Sequence, residues 1–276
     1  MLYALDPAMP VLLRPDDAVQ VGWDPRRAVL VRPPDGVTPT ALASLLRGMQ
    51  VPLGKAELQQ LAVTHGMADT LDQLLEALEN SGVVRGRSRQ STPRALSIRV
   101  HGTGPISDLL VETLRCSGAR IAHTSHTGAS VSAATADMVV LTDYLVADPR
   151  LVRDLHSVGV PHLPVRVRDG AGLVGPLVIP GVTSCLACAD LHRTDRDGAW
   201  PAVAAQLRDV IGSADRPTVL ATAAVALGQL QRIITAVRGQ EAAGAPPATL
   251  NTTLQVDVSN NTITARRWSR HPRCEC

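Results

Sequence analysis

Val100-His101-Gly102-Thr103-Gly104-Pro105-Ile106-Ser107 joins two patterns of different period. The apolar residues 95–100 before this loop predict a buried strand, and residues 106–117 after it repeat apolar side chains at helical spacing. Glycines between a strand and a helix let a phosphate group approach the helix N-terminus. Gly102 and Gly104 are therefore candidate nucleotide-binding residues.

The loop departs from the dinucleotide fingerprint. Ser107 stands where a third glycine is expected, and Pro105 removes one backbone N–H donor. The next strand, predicted at residues 120–122, is not followed by the acidic residue that would bind a ribose. A nucleotide-type fold that no longer binds a nucleotide therefore stays open as an alternative, and an NAD-dependent oxidoreductase is disfavoured.

The alternation of strand and helix continues beyond the loop. It predicts an α/β fold of Rossmann-like type, with a parallel sheet and helices on both faces. Two alternating stretches near the end, turned at Asn260-Asn261, predict an antiparallel pair. The further strands are predicted at residues 120–122, 137–141, 160–165, 175–179, 249–258 and 262–268, and the helices at 149–157 and 218–239.

Residues 1–90 predict a small winged-helix-like α+β domain. Alternating residues 18–23 and 28–32 flank a turn and favour a hairpin. Three amphipathic stretches then predict helices. The first helix is predicted after Thr38, with Pro39 at its first position, and the others span residues 55–65 and 69–81.

Polar, breaker-rich residues 85–94 predict a linker. The domain boundaries are thus 1–90 for the winged-helix-like domain and 95–276 for the Rossmann-like domain. A winged-helix module is also a DNA-binding fold, but residues 1–90 hold nine Lys and Arg against ten Asp and Glu. These residues therefore carry no net positive charge, whereas a DNA-binding domain has a basic surface. We expect no nucleic-acid partner.

The composition is that of a folded chain with little electrostatic bias. Of its 276 residues, 45% are hydrophobic, which excludes a disordered chain, and a net charge of +2 gives no bulk attraction to anionic membranes. Lys55 is the single lysine. The apolar window 219–237 is interrupted by polar residues and predicts a buried helix, not a membrane span. Without a signal-peptide pattern, we expect a cytoplasmic protein with reduced thiols.

Four of the five cysteines form two close pairs, Cys185 with Cys188 and Cys274 with Cys276. Tetrahedral Zn²⁺ favours four thiolates, and such pairs often supply them. We predict a structural zinc site that pins the tail to the second domain. A redox pair plus two incidental tail cysteines is the alternative. Four thiolates leave no open coordination position, which disfavours catalytic zinc, and Cys116 is predicted to be a free thiol.

The order of these motifs resembles the ThiF/MoeB superfamily, the bacterial relatives of ubiquitin-activating enzymes. The resemblance covers residues 95–276, and its most specific parts are the four cysteines, the helix at 218–239 and the strands leading into His271-Pro272-Arg273-Cys274. It implies binding of ATP and Mg²⁺, with Asp143 as the candidate magnesium ligand. It also implies a homodimer.

This sequence departs from the active members of that superfamily. The ribose acid is missing, and the only lysine lies in the other domain. The usual catalytic-thiol loop is empty, because no cysteine lies between Cys188 and Cys274. Phosphate charges would be left with few partners, although arginine can replace lysine.

A winged-helix-like domain ahead of a ThiF-like domain resembles the precursor-peptide-binding partner of YcaO cyclodehydratases, which act on ribosomal peptides. The stretch 180–197 is similar to an actinobacterial branch of that family. The resemblance implies a scaffold that binds a leader peptide and a YcaO-type enzyme. The peptide would add as a strand beside Val29 and Val31, with apolar pockets at Leu71 and Leu75.

Two functions therefore stand against each other. The first is a non-catalytic, nucleotide-degenerate scaffold for peptide modification. The alternative is an ATP-dependent adenylyltransferase that activates the C-terminus of a sulfur-carrier or ubiquitin-like protein, using Gly102, Gly104 and Asp143.

Overall fold

The structure is a computed structural model that describes residues 2–87, 95–125, 136–237 and 246–276. Within them the chain forms two compact units, one up to residue 87 and one from residue 95 onward. We refer to them as the N-terminal unit and the C-terminal unit. Most of the linker predicted at 85–94 lies outside the described residues, and Val84–Arg87 form a strand.

The N-terminal unit combines three helices with two small antiparallel sheets. One sheet has the order β5-β1-β6 and the other the order β2-β3-β4, which leaves β4 at an edge. The winged-helix assignment stays a prediction. The strands are β1 Leu2–Leu5, β2 Val11–Leu13, β3 Val19–Val21, β4 Val29–Val31, β5 Leu53–Gly54 and β6 Val84–Arg87, and the helices are α1 Pro39–Gly48, α2 Lys55–Thr64 and α3 Leu71–Asn80.

Local chemistry explains where these helices begin. The Thr38 hydroxyl oxygen accepts a hydrogen bond from the Ala41 N–H at 3.2 Å, and Pro39 occupies the first turn of α1, where no N–H is needed. The apolar stripes of α1 and α3 then meet in a core that is almost wholly aliphatic. Its buried helical leucines are Leu42, Leu45, Leu46, Leu58, Leu71, Leu74, Leu75 and Leu78.

The C-terminal unit is built on a seven-stranded mixed sheet of order β13-β12-β11-β10-β9-β7-β8. The four strands β8, β7, β9 and β10 are parallel, whereas β11, β12 and β13 continue the sheet antiparallel. The α/β class is confirmed, and the sheet is mixed. The strands are β7 Ser97–His101, β8 Arg120–Thr124, β9 Met138–Thr142, β10 His162–Arg168, β11 Ala171–Val174, β12 Thr252–Asp257 and β13 Thr262–Arg267.

The strand predicted at residues 175–179 is wrong. The chain instead turns back at Asp169 and Gly170, whose φ values of 52° and 76° suit a two-residue hairpin turn, so the strand after β10 is β11. Leu177 and Val178 make only isolated bridges.

Five α-helices lie in the described part of the C-terminal unit. The longest, α8, contacts α4 and the strands β10, β11 and β12. By length and composition, α8 could cross a membrane, and 39% of its most apolar window is buried within the protein. The helices are α4 Pro105–Leu114, α5 Pro149–Ser157, α6 Leu186–Thr194, α7 Trp200–Gln206 and α8 Arg216–Val237.

Candidate metal centre and sheet-edge site

The two cysteine pairs come together in space. Cys185 is the N-cap of α6, and its sulfur accepts a hydrogen bond from the Cys188 N–H at 3.4 Å. Cys274 and Cys276 follow β13 and pack against the first pair. All four sulfurs lie within 4.8 Å of one another.

The distances between the sulfurs fit a tetrahedral zinc ion. Cys185 Sγ lies 3.8 Å from Cys188 Sγ and 3.5 Å from Cys274 Sγ, and Cys188 Sγ lies 3.4 Å from Cys276 Sγ. Zn–S bonds of about 2.3 Å place the corners of a regular tetrahedron about 3.8 Å apart. The four cysteines could therefore bind a metal such as zinc.

Backbone N–H donors favour the thiolate form of Cys188, which is the form that binds a metal. Burial raises the pKa of the Cys188 thiol, but hydrogen bonds outweigh burial and lower that pKa to about 7. The strongest of these is the His271 N–H, whose nitrogen lies 3.3 Å from the sulfur. Burial raises the pKa of the Cys185 thiol and outweighs the opposing effect of its one backbone donor, the Cys188 N–H. A bound cation would stabilise both thiolates.

A polar cluster fixes the tail beside the cysteines. His271 Nε2 lies 2.7 Å from Asp195 Oδ2, and Arg273 also pairs with this carboxylate. The ring of His192 packs edge-on against His271 and hydrogen-bonds the Ser269 carbonyl at 3.2 Å. These polar groups satisfy one another, so the cluster supports the tail.

Two tryptophans and two arginines join α6 and α7 to the last hairpin. The guanidinium of Arg193 lies 5.1 Å from the ring centres of both Trp200 and Trp268, and that of Arg266 lies 4.3 Å from Trp268. Asp190 accepts hydrogen bonds from the Arg193 guanidinium and from Trp200 Nε1. This cation–π stack holds the cysteine-bearing helix against the sheet.

The glycine loop lies close to the end of β9. Gly102 and Gly104 have φ values of 154° and 146°. A Cβ atom on Gly102 would lie 2.4 Å from the Thr142 carbonyl oxygen, and one on Gly104 would lie 2.8 Å from Asp143 Oδ1. The chain itself therefore explains both glycines, without a ligand.

The Asp143 carboxylate caps the N-terminus of α4. Its Oδ1 accepts a hydrogen bond from the Ile106 N–H at 3.0 Å, and its Oδ2 accepts one from the Ser107 N–H at 3.1 Å. Asp143 is only 1% exposed. In a nucleotide-binding loop these N–H groups would face a phosphate. Here an internal carboxylate occupies that position.

A small pocket lies at the carboxyl edge of the parallel strands. Its volume of about 20 Å³ has room for about one water molecule. His101 and Arg166, two residues that the sequence analysis missed, line this pocket. Burial lowers the pKa of both side chains, to about 10 for Arg166. Arg166 Nε has no hydrogen-bond partner among the described residues.

The predicted peptide site is only partly at the surface. Val29 and Val31 lie on the edge strand β4 and are half-buried. Leu71 and Leu75 are 0% and 4% exposed, because the stripe of α3 packs into the core. The expectation that these two leucines line a peptide pocket is corrected: their side chains are covered.

Two heterocyclase structures share the fold. A heterocyclase in complex with substrate and cofactor matches 99% of this chain with a TM-score of 0.67 and 14% identity. The heterocyclase TruD matches 99% with a TM-score of 0.68 and 16% identity. The chain spans about two fifths of these proteins, 39% and 42% of their respective lengths.

A third similar structure is E. coli MccB with ATP. It matches the whole of this chain and 99% of its own, with a TM-score of 0.59 and 11% identity. No protein-family model matches the sequence, and no curated protein matches it. At these identities the likeness shows the fold alone.

Proposed function

We propose that this chain is a non-catalytic scaffold for the modification of ribosomal peptides. In this proposal the N-terminal unit binds a leader peptide, and the C-terminal unit is a ThiF-like domain that binds a YcaO-type modifying enzyme. The protein acts in the cytoplasm as a homodimer, with neither a nucleic acid nor a membrane as partner.

The observation that carries the proposal is the cap on α4. The Asp143 side chain accepts hydrogen bonds from the N–H groups of Ile106 and Ser107, where an active enzyme would bind a phosphate. A nucleotide would have to displace a buried carboxylate and bring its own charge close to it. The nearby pocket lined by His101 and Arg166 has room for about one water molecule.

The two heterocyclases that share the fold are more than twice as long as the part that this chain matches. We propose that the part represented by this chain binds the substrate peptide and that a YcaO-type enzyme supplies the chemistry. This chain would then bring the peptide and the enzyme together.

Zinc has a structural role in the proposal. The four cysteines would hold the ion and, through it, tie the tail to α6. When bound, zinc supplies a rigid tetrahedral cross-link, and four sulfur ligands leave no position for a substrate.

The leader peptide would add to β4 as a further strand. This strand has only β3 as a partner among the described strands, and Leu30 between its two half-buried valines is exposed. A labelled leader peptide of a co-encoded precursor should bind with micromolar affinity, and Leu30→Pro should weaken that binding. Absence of binding at tens of micromolar would count against the leader-peptide function.

Calorimetric titration of Mg·ATP into zinc-loaded protein tests the nucleotide question. We expect no heat of binding up to millimolar ATP from the folded wild type. The matched variant is Asp143→Gly, which lacks the capping carboxylate. Asp143 has a φ of 67°, and glycine tolerates this backbone conformation. Micromolar binding by the wild type would contradict the scaffold proposal.

The likeness to MccB with ATP favours a second candidate function. The two chains match over their full lengths, so an ATP-dependent adenylyltransferase that activates the C-terminus of a sulfur-carrier or ubiquitin-like protein is the alternative. It requires Gly102, Gly104 and Asp143 to bind Mg·ATP. Pyrophosphate exchange that depends on a carrier protein would identify this activity.

A further inference from the structure

The outer strand β13 is an open edge of the seven-stranded sheet. It pairs with β12 along its whole length and has no second neighbour among the described strands. All six of its residues are exposed, and Ile263 is 59% exposed. Its outward N–H and C=O groups are therefore available to a further strand.

Three arginines line this edge without carboxylate partners in the described part of the chain. Arg266 stacks on Trp268, and Arg267 follows it on the strand. The side chain of Arg270 reaches the carbonyl of Gly181. Successive strand residues point to opposite faces, so Arg266 and Arg267 place positive charge on both sides of the edge.

Other positive groups strengthen the field near Arg266. Burial lowers its pKa, and repulsion from Arg196, Arg193 and Arg168 lowers it further. Asp190 and Asp169 pair with Arg193 and Arg168, whereas Arg196 has no carboxylate partner within the described ranges. An added anion would relieve this repulsion.

An open groove of about 530 Å³ lies beside the end of β13. Arg267, Trp268 and Arg270 form one part of its lining, and Val182, which is 68% exposed, forms another. The groove offers room for side chains of an added strand, with both apolar and cationic contacts.

We propose that β13 is a docking edge to which an extended, acidic segment of a partner polypeptide adds as an eighth strand. Backbone hydrogen bonds would provide the pairing, and carboxylates on alternating sides of the segment would meet Arg266 on one face and Arg267 with Arg270 on the other. Binding at β13 would be independent of leader-peptide binding, which uses β4.

The positive charge along the β13 edge favours an acidic partner segment over a second copy of the chain. Pairing β13 with its own counterpart would place six arginines without acidic partners along one shared edge, three from each copy. Like charges in adjacent strands destabilise pairing, whereas an acidic segment neutralises them.

The test uses a fluorescein-labelled twelve-residue peptide of three Glu-Glu-Val-Val repeats, which places carboxylates on both faces of a strand, with a Lys-Lys-Val-Val peptide of the same length as its control. Fluorescence anisotropy should show salt-sensitive binding of the Glu peptide alone. The variant Arg266→Glu/Arg267→Glu should weaken binding at least about tenfold, because two attractive charge pairs become repulsive. Arg115→Glu/Arg120→Glu makes the same charge change at exposed positions elsewhere in the C-terminal unit and should leave binding within about twofold.

Hydrogen exchange then locates the peptide. The expected result is slower amide exchange confined to residues 262–267 when the Glu peptide is present. Protection at residues 29–31 instead, or absence of binding at millimolar peptide, would overturn the proposal. Protection of 262–267 that rises with protein concentration alone would assign the edge to a second copy. Tight binding of a dT20 oligonucleotide, lost in the β13 variant without strand protection, would assign the arginines to nucleic acid.

Discussion

The side chain of Asp143 occupies the N-terminus of α4, where the glycine-loop motif alone predicts a phosphate. The glycine loop and its helix could be predicted from the sequence, because strand, loop and helix are adjacent in the chain. The cap on α4 could not, because Asp143 lies 37 and 36 residues from the two N–H groups that it binds. Asp143 has a positive φ of 67°, which orients its carboxylate. No pattern in the sequence predicts this backbone conformation.

The cysteine cluster gives the first prediction at this scale. Cys274→Ser should lower bound zinc from about one ion per chain to a small fraction, because a serine hydroxyl is a poor zinc ligand. The melting temperature should fall with the metal content. Metal analysis and calorimetry of purified protein provide the readouts. Cys116→Ser is the matched control, since Cys116 is exposed and lies outside the cluster. Equal zinc in both variants would contradict the assignment of ligands.

A second prediction concerns His162, which is fully buried. Burial lowers the pKa of its ring to about 4, from an ordinary value of 6.5. Protonation thus favours the unfolded chain. The stability held by the neutral ring is complete above pH 6.5 and is lost as the pH falls toward 4, by up to about 3 kcal/mol.

Urea unfolding of the wild type and of His162→Leu between pH 7 and pH 4 measures this effect. The wild type should lose more stability than the variant over that range, and metal loss at low pH affects both proteins alike. Parallel curves for the two proteins would show that His162 does not titrate in this range.

At the scale of elements, the contact between α8 and β11 depends on a missing side chain. A Cβ atom on Gly172 would lie 1.9 Å from Thr222 Oγ1, so the helix approaches the strand closely only at a glycine. Gly172→Ala should destabilise the protein by about 1–3 kcal/mol in urea unfolding. The double variant Gly172→Ala/Thr222→Ala should recover part of that loss.

The control variant is Gly228→Ala, which lies on α8, the same helix as Thr222. A Cβ atom there meets no atom within 4 Å, so alanine should stabilise α8 by up to about 1 kcal/mol through helix propensity. If both alanine variants were equally stable, close packing at Gly172 would not limit the helix position.

Element prediction from the sequence succeeded where local signals were strong. Thr38 with Pro39 marked the start of α1, and Asn260-Asn261 marked the last hairpin. The strand β11 was missed although Asp169-Gly170 is a strong hairpin signal, because the apolar run after it drew the prediction to residues 175–179. The exposure of β13 is a property of the whole sheet, and its alternating sequence does not reveal it.

On the scale of the whole molecule, the two units have separate cores. The apolar cluster of the N-terminal unit uses residues 3–84, and those of the C-terminal unit use residues 96–276. Each unit buries its own helical stripes, so the loss of order in one need not spread to the other.

Zinc chelation should therefore act on one unit only. Hydrogen exchange after treatment with a strong zinc chelator should become faster in residues 186–194 and 252–276, which surround the cysteines. Peptides from residues 39–80 should keep their exchange rates. Faster exchange in both regions would mean that the units unfold together.

The cysteine cluster also bears on the order of events in folding. Its cross-chain contacts join residues that are 89 and 88 positions apart, and the intervening chain contains α7, α8 and the last hairpin. Closing so long a loop carries an entropic cost that local contacts avoid, so such contacts form late. Metal capture is thus a completion step: an ion held by all four sulfurs marks a polypeptide whose distant segments have already found their places.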